Sequence, residues 1–145
     1  MSEGKKIKRP QTVVGVMIFK EGRVLIGKRS DTATHGQGEF SFPGGHVEVG
    51  ESFEESIERE TKEEAGSKIK IKNLKFQCVA NIIIYNKALI GFVADWESGE
   101  ASSDPNENIG EWSWYDLNNL PSPLFYPTKL LIDSYKTGKN FYDKE

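Results

Sequence analysis

Gly45-His46-Val47-Glu48-Val49-Gly50-Glu51, continued by Arg59-Glu60-Thr61-Lys62-Glu63-Glu64-Ala65-Gly66, is the stretch from which the rest of the chain can be read. Between Glu51 and Glu64 stand seven carboxylates (Glu51, Glu54, Glu55, Glu58, Glu60, Glu63, Glu64) against Arg59 and Lys62 alone, a local charge of −5 in a chain whose net charge is −3. The local pattern predicts a helix. Ser52 followed by Glu55 is a capping box, in which each side chain satisfies an orphan backbone N–H of the other residue. Gly66 stands where a helix needs a left-handed stop. Phe53, Ile57, Ala65 and the aliphatic part of Thr61 recur at spacing four as the expected buried stripe. Glu60, Glu63 and Glu64 then fall at i, i+3 and i+4 on a neighbouring face, where each like-charge pair costs an isolated helix about 0.2–0.5 kcal/mol. A hard divalent cation reverses that cost, because it binds through a few carboxylates and fills its other positions with water or phosphate oxygens.

At this point the residues resemble a family. The segment is similar to the Nudix box: G, five residues, E, seven residues, then R-E-U-x-E-E-x-G-U, with U bulky and apolar. Gly45, Glu51, Arg59, Glu60, Glu63, Glu64 and Gly66 fill every named position; Thr61 and Ser67 stand at the two U positions and depart from the pattern. Softer stretches extend the likeness to the MutT-related, nucleotide-cleaning hydrolases: Gly27-Lys28-Arg29, His35-Gly36-Gln37-Gly38, Phe42-Pro43-Gly44-Gly45-His46, Trp112-Ser113-Trp114-Tyr115-Asp116, Asn119-Leu120-Pro121 and Pro123-Leu124-Phe125. The resemblance implies an α/β fold, an α/β/α sandwich with a mixed β-sheet between helices.

Cleaving a diphosphate requires neutralisation of charge moving to the leaving oxygen and a base to deprotonate water. By resemblance, Glu60, Glu63 and Glu64 do that work as metal ligands or base, with Glu60 our choice of base and Gly45 counted with the metal set. Arg59 and Glu51 form the pair that orients Glu60. A further metal ligand is expected from a later loop, with Glu107 preferred over Asp104 and Glu111. Arg29, with Lys28, is a candidate for phosphate oxygens, which guanidinium pairs bidentately. His35 and His46 are expected to flank the mouth. Phe40, Trp112, Trp114 and Phe125 are candidates to wall a base-stacking pocket, with at least two of the four assigned to the core because aromatics at alternate strand positions usually pack inward.

The activity so implied is Mg²⁺-dependent (with Mn²⁺ as the alternative ion) hydrolysis of a nucleoside 5′-triphosphate, oxidised or not, to the monophosphate and pyrophosphate. The alternatives are hydrolysis of a nucleotide sugar, a dinucleoside polyphosphate or a terpenyl diphosphate, or a non-catalytic nucleotide sensor. An intact set of box carboxylates favours the enzyme.

The remaining expectations rest on composition. At 145 residues the chain can bury one substantial core but hardly two, so residues 12–145 are read as one domain behind a polar arm, 1–11. No apolar run reaches the roughly 18 residues that span a membrane, and the basic, polar start is unlike a secretory signal. The single cysteine, Cys78, permits no internal disulfide and suits a reducing cytoplasm. Net acidity argues against broad binding to nucleic acid. The expected partners are therefore a small-molecule nucleotide or diphosphate, with no nucleic acid, no membrane and, by resemblance, a homodimer.

Overall fold

The structure is a computed structural model that describes residues 9–145. Most of the expected N-terminal arm lies outside the described residues, and Gln11, its last residue, already belongs to the first strand. The order of elements is β1 (Gln11–Lys20), β2 (Arg23–Arg29), β3 (Phe40–Ser41), β4 (Gly44–His46), α1 (Phe53–Ala65), β5 (Lys70–Ile82), a 3₁₀ turn (Ile83–Tyr85), β6 (Lys87–Ser98), β7 (Ile109–Asp116), α2 (Tyr126–Thr137) and β8 (Phe141–Tyr142).

These elements form a mixed sheet in the order β3-β2-β1-β6-β5-β8, with β4 paired to β1 and β7 to β2. β1 runs parallel to β6 from Gln11↔Lys87 to Phe19↔Asp95. On its other edge β1 meets β2 only at Phe19↔Val24 and Lys20↔Arg23, around a two-residue turn in which Glu21 and Gly22 both have positive φ. That is the twist a tight hairpin demands. Farther back along the same edge β4 takes over, pairing Val13↔His46 through Gly15↔Gly44. β2 instead pairs with β3 and β7. The sheet therefore forks between β1 and β2, and the fork leaves room for a cleft.

Period-two alternation along β1 and β2 divides the core. Val14, Val16, Ile18 and Leu25 pack with Ile57 and Ala65 of α1 on one face, and Met17, Val24 and Ile26 pack with Leu130, Leu131 and Ile132 of α2 on the other. The sheet thus lies between two helices, as the α/β/α expectation has it.

Helix α1 begins as its sequence dictates. Ser52 Oγ accepts from the Glu55 N–H at 3.0 Å and Glu55 Oε1 from the Ser52 N–H at 2.9 Å, the complete capping box. Its stripe differs from expectation. Phe53 is 43% exposed and tilts onto Phe92, whereas Glu64 is 8% exposed and lies within the buried face beside Ser56, Ile57, Thr61 and Ala65. Phe53 sits in the first turn of the helix; Glu64 is drawn inward by a polar partner described below. Gly66 has φ 104°, ψ 148°, so the helix stops and the chain leaves extended rather than curling. A Cβ there would also lie 2.3 Å from Ser102 Oγ. Two carbonyls left over at the helix end are capped from outside: Trp112 Nε1 donates to Glu64 O at 2.8 Å and the Ser102 N–H to Ala65 O at 2.8 Å. The second bond docks the loop that carries Glu107 against α1.

β5 is one continuous strand whose pairing with β6 shifts register between Lys70 and Ile71, between Lys72 and Lys75 and between Phe76 and Cys78. It ends in the 3₁₀ turn through Tyr85. Gly44–His46 forms a short strand, and β8 returns beside β5 after α2. Cys78 is buried and unpaired in β5. Among the described residues no helix is long and apolar enough to cross a membrane.

Candidate active site

A cleft of about 490 Å³ opens at the fork, and the acidic face of α1 forms one wall. Glu60, Glu63, Glu64, Glu107 and Gly45 all line it, as do Arg29, His35, His46 and Phe125. Of the two cationic side chains on the wall, Arg29 comes from β2 and Lys87 from the start of β6.

Arg59 organises the acidic wall from behind. Its Nε donates to Glu51 Oε2 at 2.6 Å and its Nη2 to Glu51 Oε1 at 3.0 Å, a bidentate pair. The same guanidinium reaches Glu60 Oε1 at 2.7 Å, Glu63 Oε2 at 3.2 Å and the His46 carbonyl at 2.9 Å. Its planar fork suits this multiple role, and a lysine could not reproduce it. The Arg59 bond, helped by the Glu48 N–H, holds the Glu51 carboxyl down at about 2, and the same contact raises Arg59 further still. Neither Arg59 nor Glu51 lines the cleft; they hold what does.

The carboxylates that face the cleft are shifted the other way. Burial pushes Glu60 up to about 7, against the pull of Arg59 and with a push from Glu63 and Glu107. Burial likewise raises Glu64 well above its ordinary value, although Oε1 accepts the Gly44 N–H at 2.8 Å. That bond is the polar partner that draws Glu64 inward. Glu107 is raised by partial burial and by Glu63 and Asp104. Gly45 is forced by geometry: a Cβ there would lie 2.4 Å from Glu60 Oε2.

Among the described residues no group of three or more His, Cys, Asp or Glu side chains is already drawn together tightly enough to hold a metal ion. The donor chemistry nonetheless fits a hard cation. Four carboxylates share one cleft, and burial with like-charged neighbours raises the proton affinities of Glu60, Glu64 and Glu107, which is the condition a divalent ion relieves.

Other expected residues are distributed as follows. Arg29 lies across the Phe125 ring at 3.9 Å and donates from Nε to the His35 carbonyl at 2.8 Å; burial lowers its proton affinity. Lys28 is exposed and does not line the cleft, and neither do Asp104 and Glu111. Of the four aromatics, Phe125 alone reaches the cleft. Phe40 packs edge-on to Tyr115 at 6.5 Å in the α2-side core, and Trp112 and Trp114 pack against the α1-side core. The expectation of Phe40 and Trp112 as stacking residues is therefore corrected: strand alternation turns both away from the fork, and the Trp112 N–H serves the helix end. Gln11, Tyr85 and Lys87 line the cleft and were not anticipated: Gln11 was assigned to the polar arm, and no spacing around Tyr85 and Lys87 marks a site.

The family model described as the NUDIX domain matches residues 9–135. The NAD-capped RNA hydrolase NudC of Salmonella paratyphi C is 33% identical over 131 residues, covering 88% of this chain and 49% of that protein. The chain thus spans about half the length of the curated relatives it matches. Among solved structures, a MutT NUDIX hydrolase from Burkholderia pseudomallei superposes with a TM-score of 0.73 at 26% identity, covering 88% of this chain and 98% of that one. A NUDIX hydrolase from Nitrosomonas europaea gives a TM-score of 0.74 at 17% identity, over 97% of this chain and 81% of that one, and shows the fold alone.

These relatives correct one expectation. The exclusion of nucleic acid rested on net charge, yet NudC is named for an RNA carrying an NAD cap. Net charge bears on non-specific attraction along a phosphate backbone; it says nothing about an enzyme that engages one diphosphate at the end of a chain. Matched along most of its length, and with its box carboxylates intact, the chain belongs to the Nudix family.

Proposed function

We propose that this hydrolase cleaves the diphosphate link of a nucleotide joined to a second group, of the kind that joins the two nucleotides of NAD, whether free or carried on RNA. The observation that carries this reading is the convergence of Glu60, Glu63, Glu64 and Glu107 on a cleft that also presents Arg29 and Lys87. The likeness to NudC supports the choice of link. The second reading is hydrolysis of a dNTP to its monophosphate and pyrophosphate; the likeness to the Burkholderia MutT hydrolase favours it.

Glu60, Glu63, Glu64 and Glu107 would hold Mg²⁺, with Gly45 leaving space for the Glu60 carboxylate. When bound, the ion supplies charge neutralisation at the phosphate oxygens and lowers the proton affinity of water. Glu60 takes a proton from the attacking water as the new P–O bond forms and the bridging P–O bond breaks, releasing two monophosphates from a dinucleotide. Arg59, fixed by Glu51, holds Glu60 in place for that transfer, since a misplacement of about 1 Å costs of order 10²-fold in rate. Arg29 stands on the opposite wall as a donor to phosphate oxygens.

The test is product analysis with Mg²⁺ on NAD⁺, ADP-ribose, an NAD-capped RNA, normal and oxidised dNTPs, and geranyl diphosphate. Release of AMP and nicotinamide mononucleotide from NAD⁺ in preference to pyrophosphate from dNTPs is expected. Turnover of dNTPs alone moves the second reading to the front.

A further inference from the structure

Arg29 is held in the cleft without a counter-ion. Among the described residues every ion pair involves Arg59, which is tied to Glu48, Glu51, Glu60 and Glu63. The side-chain hydrogen bond that Arg29 makes among those residues runs from Nε to the neutral carbonyl of His35 at 2.8 Å. The N–H donors of both its Nη groups stay free for a ligand. Glu64 and Glu39 act on the guanidinium only through space.

A closed column of flat groups fixes it instead. The guanidinium lies over the Phe125 ring at 3.9 Å. The other face of Phe125 stacks on Tyr85 at 5.5 Å and 15°, and Tyr85 in turn on His35 at 4.5 Å and 25°. The circuit then returns to its start, because the His35 carbonyl accepts from Arg29 Nε. Both faces of Phe125 and of Tyr85 are taken, so neither is left for the ring of a ligand. What the column does present is the Arg29 fork. An aromatic face attracts a guanidinium through its quadrupole without neutralising it, whereas a carboxylate in its place would cancel the charge that draws phosphate oxygens.

The column is anchored at several points. Phe125 donates its N–H to Phe40 O at 2.8 Å and accepts the Lys129 N–H at 3.0 Å, which ties it to β3 and to the first turn of α2. Tyr85 ends the 3₁₀ turn, closed by the Asn86 N–H on Ile83 O at 3.1 Å. The loop bearing His35 is pinned to Arg29 itself, whose N–H donates to Glu39 O and whose carbonyl accepts the Gly38 N–H, both at 2.8 Å. Gly36 in that loop has φ 67°, and a Cβ there would lie 2.5 Å from Phe125 Cδ1. The loop therefore closes on the edge of the ring, which a side chain at Gly36 would prevent.

We propose that Phe125 and Tyr85 are positioning residues that act through Arg29: the column holds its guanidinium, with its charge intact, ready for phosphate oxygens. A loose arginine would have to be ordered as the substrate binds, and the column orders it beforehand. The inference rests on the reading of Arg29 as a phosphate donor, and it makes the effect of both rings independent of what the diphosphate carries.

Calorimetric binding of inorganic pyrophosphate with Mg²⁺, a probe with phosphates and no base, tests it. Steady-state kinetics on NAD⁺, dGTP and geranyl diphosphate and the Tm of each variant accompany it. Phe125→Leu should weaken pyrophosphate binding about tenfold and lower kcat/KM about as much on any diphosphate that wild type cleaves. Phe125→Tyr, which restores the ring, should recover most of both losses. Tyr85→Leu should act in the same direction with a smaller size. Arg29→Met should lose at least as much as Phe125→Leu, and the double variant no more than Arg29→Met alone, since one residue acts through the other. Phe125→Met takes the place of Phe125→Leu if the latter fails to fold.

Pyrophosphate binding that Phe125→Leu leaves unchanged and Arg29→Met weakens overturns the inference and leaves Arg29 with the phosphates. Additive losses in the double variant overturn it as well. So does a loss confined to nucleotide KM, because Phe125 would then meet the base. Arg29→Met that binds pyrophosphate as wild type does overturns the reading of Arg29 together with the inference. Binding is read without turnover, so a wild type that cleaves none of the three substrates fails the hydrolase reading while the column still shows in pyrophosphate affinity.

Discussion

Gly45 and Glu60 occupy a space that admits one side chain: a Cβ on Gly45 would stand 2.4 Å from Glu60 Oε2. Gly45→Ala must therefore push the Glu60 carboxylate off its position, because real atoms do not approach so closely. The expected result is a fall in kcat of about 10²-fold, with Tm moved by only a few degrees, roughly the effect of 1 kcal/mol. Parallel rate and melting measurements on this variant check it.

Arg59→Lys keeps the charge and loses the fork. The bidentate bond to Glu51 and the bond to Glu60 cannot both survive in a single ammonium group. Loss of such an orienting partner typically costs about 10–100-fold in activity. The same loss is expected from Glu51→Gln, and the double variant should be no worse than the worse single one, because the two residues act as a unit. Additive losses would show that Glu51 and Arg59 act separately.

The two ends of this network titrate in opposite senses. Glu60, raised to about 7 chiefly by burial, is favoured in its neutral form by the fold. Its contribution to stability is fully present below the ordinary value of 4.5 and is lost as pH rises through about 7, a change of about 3 kcal/mol at most by linkage. Glu51, lowered to about 2 by Arg59, contributes above 4.5 and loses that contribution as pH falls through about 2. Metal-free protein should therefore lose Tm between pH 5 and pH 8 and again in strong acid. Mg²⁺ should suppress the first loss and leave the second; melting curves with EDTA and with Mg²⁺ across pH decide it.

Trp112→Phe separates a structural role from a stacking role. The substitution keeps most of the buried ring and removes the bond from Nε1 to Glu64 O at the end of α1. A cost of about 1 kcal/mol, or about 3 °C in Tm, is expected with substrate KM unchanged. A large rise in KM with unaltered Tm would return Trp112 to the substrate.

Much of this was legible in the sequence because it is local. The capping box at Ser52 and Glu55, the stop at Gly66 and the face shared by Glu60, Glu63 and Glu64 follow from spacings of three and four on one helix. The sandwich was implied by the family resemblance that those residues carry. What spacing could not give was orientation across the fork. Phe125 reaches the cleft from the N-cap of α2, whereas Phe40 and Trp112 face the core, and their aromatic character alone does not distinguish them. Tyr85 and Lys87 were hidden by a strand that runs on through three register shifts to a 3₁₀ turn. The burial of Glu64 was equally invisible, since it depends on one N–H contributed by Gly44 from another element.

The most direct test of the central claim is Glu60→Gln assayed at saturating Mg²⁺ beside its thermal melt. Removing a buried, poorly solvated carboxylate while preserving its shape should raise Tm of the metal-free protein above neutral pH. Turnover should fall by about 10²–10⁴-fold, the range for loss of a general base. Turnover within about twofold of wild type, with the melt raised as expected, would leave the fold account intact and contradict the assignment of Glu60 to the proton transfer.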